Sequence, residues 1–101
     1  MRITSVSDFR RAMRNGPYAW PGGYPCYFIM EDGSAVSFEA IRRNVRSVLE
    51  ALTDPHYRRW RSGWLPVAVD INWEDSTLLC DVTGERIPAA YEVEDEVDSE
   101  V

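Results

Sequence analysis

The chain contains no lysine, one histidine (His56) and two cysteines (Cys26 and Cys80) in 101 residues. Each scarcity closes off a class of chemistry. A Ser or Cys nucleophile needs a nearby base, and His56 is the single candidate, without a companion motif around it. Two thiols and one imidazole fall short of the four ligands zinc takes, even with Asp81 added as an oxygen donor. There is no P-loop and no G-x-G-x-x-G fingerprint. No apolar run approaches the ~20 residues that cross a bilayer, and MRITSVSDFRRAMRNG carries charges where a secretory signal needs its apolar stretch. These absences predict a non-catalytic cytoplasmic protein that is not membrane-bound, uses no metal or other cofactor, and keeps both cysteines as free thiols.

What is present is the composition of a folded domain: 45% hydrophobic and 12% aromatic residues, in a chain long enough for one core and too short for two. The charge is unevenly placed. All eleven basic residues are arginine, as a GC-rich coding sequence favours, and they match eleven acids within residues 1–91. The net charge of −6 resides in Glu92, Glu94, Asp95, Glu96, Asp98 and Glu100. Residues 1–91 therefore read as a single folded domain and 92–101 as a disordered acidic tail.

The organising stretch is WLPVAVDINWEDSTLLCDVTGERIPAAY, residues 64–91. In its front half Leu65, Val67, Val69, Ile71 and Trp73 alternate with polar or small residues, predicting a strand with one face on the core. Thr77 to Val82 is expected to pair back on it as a hairpin. Upstream, Val6, Phe9 and Met13 recur at helical spacing after a capping serine, Ser5 or Ser7, and Gly16-Pro17 stops that helix. GPYAWPGGYP (16–25) is an ordered aromatic loop. CYFIM (26–30) is a strand, and Asp32-Gly33 suits a tight turn into a brief return strand near 35–37. Phe38, Ile41, Val45, Val48, Leu49 and Leu52 form an amphipathic stripe. The sum is α+β: about four short strands in a mostly antiparallel sheet, with one long helix (about 38–53) and one short N-terminal helix (about 6–15) against it.

Three constellations invite a site. Cys80-Asp81-Val82-Thr83-Gly84 has the outline of half a zinc knuckle with threonine in the second cysteine position, which predicts a buried inert thiol rather than a ligand. Asp70, Asn72, Glu74 and Asp81 fall at EF-hand positions 1, 3, 5 and 12, but Asp75 occupies the obligatory glycine position and the flanks read as strands, so calcium is rejected. The third is a surface. Asp70, Glu74, Asp75, Asp81 and Glu85 are five acids in sixteen positions, and with the aromatics Trp20 and Trp73 they predict an anionic strip that imitates a phosphate backbone and occupies a basic groove on another protein. The alternative is nucleic-acid binding through Arg42, Arg43, Arg46, Arg58, Arg59 and Arg61. Tyr57 and Trp60 interleave the last group, so phosphates could pair with the arginines while bases stack on the rings. An edge strand leaves a homodimer open.

GPYAWPGGYP, the DG turn followed by SFEAIRRN, and DINWED followed by C-x-x-T-G-x-R-I-x-x-A-Y together resemble a family of small proteins of bacteriophages, prophages and mobile elements, over about residues 9–91. The resemblance implies a context, the cytoplasm of a bacterial host, and a role in binding and blocking host machinery, anti-CRISPR proteins among the examples. The implied partner is a host protein such as a CRISPR effector subunit with a basic surface.

Overall fold

The computed structural model describes residues 1–91, so the acidic tail at 92–101 lies outside the described residues. The element order is α1 (Val6–Asn15), β1 (Tyr18–Ala19), β2 (Tyr24–Met30), β3 (Ala35–Val36), α2 (Phe38–Arg43), α3 (Val45–Thr53), α4 (Tyr57–Trp60) and β4 (Pro66–Ile71). The class is α+β. All three other strands pair antiparallel with β2, which makes it the hub of a four-stranded sheet. Among the described residues no helix is long and apolar enough to cross a membrane.

Local chemistry sets the helix ends. Ser5 caps α1 by accepting the Asp8 N–H at 3.1 Å, while the Asp8 carboxylate reaches back to the Thr4 N–H (3.0 Å) and hydroxyl (2.9 Å). Two orphan donors are thereby satisfied reciprocally. Gly16, at φ 82°, ends the helix with its N–H on the Ala12 carbonyl. Ser37 caps α2 by accepting the Ala40 N–H at 3.1 Å.

The single helix expected over 38–53 is two helices. Asn44, at φ −122° and ψ 30°, lies between them. Its side-chain amide donates to the Ala40 carbonyl (2.8 Å), and its backbone N–H tightens onto Ile41 (3.0 Å). An asparagine side chain that bonds the preceding turn competes with the helical ladder, and here it breaks the run. Phe38, Ala40, Ile41, Val48 and Ala51 remain buried, but Val45, counted in the apolar stripe, is exposed just after the break.

The strand pairing also differs from expectation. β4 pairs with β2, and residues 77–82 form no strand; the contact there is an isolated bridge between Leu79 and Arg86. Cross-strand partners put Val69 on the face of Phe28 and Ile71 on that of Cys26, as the alternation predicts. The register then slips between Ile29 and Met30, which pair with Ala68 and Pro66, leaving Val67 as the extra residue. Proline cannot donate to a ladder, and an extra residue reverses the phase of side chains beyond it. Pro66 is accordingly buried and Val67 exposed. The freed Val67 carbonyl accepts the Ile3 N–H (2.9 Å), and Val69 donates to Met1 (2.8 Å), so the N-terminal residues cover the outer edge of β4.

The core lies where α1 and α2 meet the sheet. Phe9, Phe28 and Phe38 form a tilted aromatic row, with centroids 6.0 and 4.5 Å apart. Ile3, Met30, Val36, Ile41, Val48, Cys80 and Ile87 pack around it. The C-terminal segment contributes two of these side chains through a compact turn, and Asp81 hangs that turn on the carbonyl of Ala35 in β3 at 2.8 Å.

Candidate protein-binding surface

The site begins at the end of β4, where Asn72 is 3% exposed and yet polar. Every polar group of this residue is used. Its Nδ2 donates to the carbonyls of Asp75 (3.0 Å), Ile87 (3.2 Å) and Pro88 (3.1 Å), and its Oδ1 accepts the Asp75 N–H (3.1 Å). Its backbone donates to Pro25 (2.9 Å) and accepts from Ala90 (2.8 Å). Asn72 therefore clamps three chain segments, and the next residue, Trp73, is presented at a fixed place.

Trp73 is the middle of an aromatic row. Its ring centroid is 4.8 Å from that of Tyr24, tilted by 52°, and 6.3 Å from that of Tyr91, nearly parallel at 18°. The Tyr91 N–H donates to the Trp73 carbonyl at 2.8 Å. Trp73 remains 45% and Tyr91 59% exposed, so this row is a surface and not a core. The β1–β2 hairpin places the remaining rings. Its connection runs from Trp20 through a cis Trp20–Pro21 peptide to Gly22 and Gly23. A Cβ on Gly22 would lie 2.6 Å from the Tyr24 ring and one on Gly23 3.3 Å from Trp20, so both aromatics rest on bare glycine backbone. Trp20 is 76% exposed.

The acids expected to form one strip divide. Asp70 stands opposite Tyr27 in the register, with its Oδ1 accepting the Ile71 N–H at 2.8 Å. The Tyr27 hydroxyl is pushed above its ordinary value by burial first and then by the negative charge of Asp70 and Asp75. Asp70 and Trp20 also share a cavity of about 460 Å³ with Tyr18, Cys26, Val69 and Ile71. Asp75 is a turn residue. Its carboxylate accepts the Thr77 N–H (2.9 Å) and hydroxyl (2.7 Å), and these bonds hold it below the usual carboxylate range. Glu74 is exposed, and its carboxylate has no hydrogen bond or ion pair among the described residues. Asp81 and Glu85 belong to a separate turn, and Glu85 lines a cleft of about 530 Å³ with Glu39, Arg42, Arg43 and Arg86. Trp20, Asp70, Trp73, Glu74 and Asp75 thus gather around one end of β2 and β4, joined by Tyr24 and Tyr91. Those two tyrosines were not among the expected site residues; their signals are the positions of Tyr24 just before the CYFIM strand and Tyr91 just before the acid run.

The alternative arginine set also divides. Arg42 and Arg43 line the cleft just named, where Arg43 pairs with Glu39 at 2.9 Å, and Arg46 is exposed on α3. Arg58 and Arg61 line a different cleft with Glu31 and Asp54, and Arg61 lies 3.7 Å from Glu31. Arg59 is exposed on α4.

The Cys80 turn is closed by two backbone bonds. Gly84 donates to the Cys80 carbonyl and Cys80 to the Glu85 carbonyl, both at 2.8 Å. Burial pushes the Cys80 thiol up, but hydrogen bonds from Ser37 and Thr83 outweigh it and bring the thiol down to about 7. Cys26 is half-buried, and its thiol is raised chiefly by burial. His56 is exposed at the start of α4. Among the described residues no three His, Cys, Asp or Glu side chains converge as metal ligands.

Fold and site together define a small α+β domain with an exposed aromatic and acidic end. Comparison with models of protein families, with curated proteins and with solved structures finds no significant match.

Proposed function

We propose that this protein is a non-catalytic protein-binding module that docks its aromatic and acidic end on a basic surface of a partner. The single observation that carries this reading is the Tyr24–Trp73–Tyr91 row, in which Trp73 and Tyr91 are exposed next to a Glu74 carboxylate that has no ion-pair partner among the described residues. Exposed aromatics on a rigid base supply large contact area at low entropic cost, and they dominate binding energy at interfaces. Adjacent negative charge selects a cationic partner and speeds encounter. Basic grooves of that kind belong to proteins that handle nucleic acid. The motif resemblance to phage and mobile-element proteins supports a role as an inhibitor of such a host system, of anti-CRISPR type.

The test uses Trp73→Ala and Glu74→Arg, which spare the Asn72 clamp and the Asp75 turn. Affinity capture from a bacterial host lysate with the wild-type chain should retain a basic protein, and both variants should lose it while melting as the wild type does. The purified pair should then associate with a salt-dependent affinity weakened roughly tenfold or more by Trp73→Ala. Identical retention by all three chains would overturn the reading.

A further inference from the structure

A second surface stands apart from the acidic end, on α4. Trp60 is 74% exposed, almost as open as Trp20. Arg59 precedes it and Arg61 follows it, with Arg58 one residue further back, and HYRRWRSGW carries no acid. Among the described residues neither Arg58 nor Arg59 has an ion-pair partner.

The turn that presents these groups is held in an unfavourable conformation. Arg61 adopts φ 46° and ψ 63° and is the one non-glycine residue at positive φ among those described. Left-handed backbone is unfavourable for a side-chain-bearing residue and persists only where surrounding contacts enforce it. Here Tyr57, 8% exposed, is the anchor: its carbonyl accepts the Arg61 N–H at 2.7 Å and its hydroxyl accepts the Gly63 N–H at 3.3 Å. Glu31 draws the Arg61 side chain at 3.7 Å. The backbone that follows Trp60 is thus held in place, and the exposed indole lies on the same short helix as the exposed Arg58 and Arg59.

We infer that the α4 turn is a single-stranded nucleic-acid contact, with a base stacking on Trp60 and flanking phosphates paired to Arg58 and Arg59. An unpaired base presents a π face that a duplex hides, and guanidinium forks match phosphate oxygens bidentately. The remaining arginines of the wider set, Arg42, Arg43 and Arg46, are not part of this surface. The inference goes beyond the proposed protein-binding end, uses none of its residues, and fails or stands independently of it.

The test is fluorescence anisotropy of the full chain with a labelled 20-mer of thymidine and a labelled 20-bp duplex, at low salt. The single strand should bind more tightly than the duplex, with affinity falling steeply as salt rises. Trp60→Ala should weaken single-strand binding about tenfold or more, and Arg58→Ala with Arg59→Ala should flatten the salt slope by roughly 0.7 per arginine removed. All three side chains are away from the core, and unchanged melting confirms that the variants fold. No binding of the single strand, equal binding of the duplex, or undiminished binding by Trp60→Ala would each overturn the assignment.

Discussion

The side-chain amide of Asn72 donates to the Ile87 carbonyl across 3.2 Å, a bond between residues fifteen positions apart that pins the C-terminal segment to the end of the sheet. The same amide serves Asp75 and Pro88. Replacement by alanine leaves buried carbonyls without a donor and the Asp75 N–H without its acceptor. At ~1 kcal/mol for each of the four lost side-chain bonds, Asn72→Ala should destabilise the domain by about 4 kcal/mol and lower its melting temperature by more than ~10 °C. Asn72→Asp, which turns a carboxylate toward carbonyl oxygens, should be worse at neutral pH than at pH 4. Urea titration at both values measures this directly.

Cys80 offers a dependence on pH that a buried thiol normally lacks. Its folded value of about 7 lies below the ordinary thiol value of 9.0. Between those values the unfolded chain holds the proton that the folded chain has released, so stability rises with pH across that interval. The gain should be on the order of 1–2 kcal/mol from pH 6.5 to 9. In Cys80→Ala the gain disappears, and the difference between the two melting curves isolates it from every other titrating group.

Much of this fold was legible because its signals are local. Ser5, Gly16 and Ser37 mark element ends through bonds made within a few residues, and each does so in the structure. The Phe38–Thr53 stripe placed a helical region correctly, but periodicity carries no information about the side-chain bond from Asn44 to Ala40 that divides it. Nor could alternation foresee that the strand after Trp64 would choose β2 as its partner, since pairing depends on surfaces brought together from distant segments. The candidate surface shows the same division. Trp20, Asp70, Trp73 and Glu74 were readable as aromatic and acidic residues near turns. That Asp75 spends its carboxylate on Thr77, and that Glu85 lies among arginines, follows from folded geometry.

Arg61 provides a test of backbone strain. Glycine populates the left-handed region freely, so Arg61→Gly removes the local cost at the expense of a solvent-exposed ion pair with Glu31, worth little. The variant should be as stable as the wild type or up to ~1 kcal/mol more stable. Arg61→Val, whose branched side chain tolerates this region worst, should lose at least as much. Paired thermal melts decide the sign.

Removing residues 92–101 separates the two surfaces by the direction of its effects. The deletion takes away six acids and no base, leaving eleven of each, so the isoelectric point should rise well above the full chain's value of about 4.7. These acids follow Tyr91 in the sequence, and the Tyr91 ring stacks with Trp73. Association with a basic partner should then weaken. Repulsion between the chain and an anionic strand falls at the same time, and single-stranded DNA should bind Trp60 and its arginines several-fold more tightly at low salt. Both changes are electrostatic and should fade by ~0.5 M salt, where screening confines interactions to a few ångströms. A truncation that moved the two affinities in the same direction would show that charge does not distinguish the surfaces, whereas opposite movement, each abolished by salt, ties each partner to its own end of the molecule.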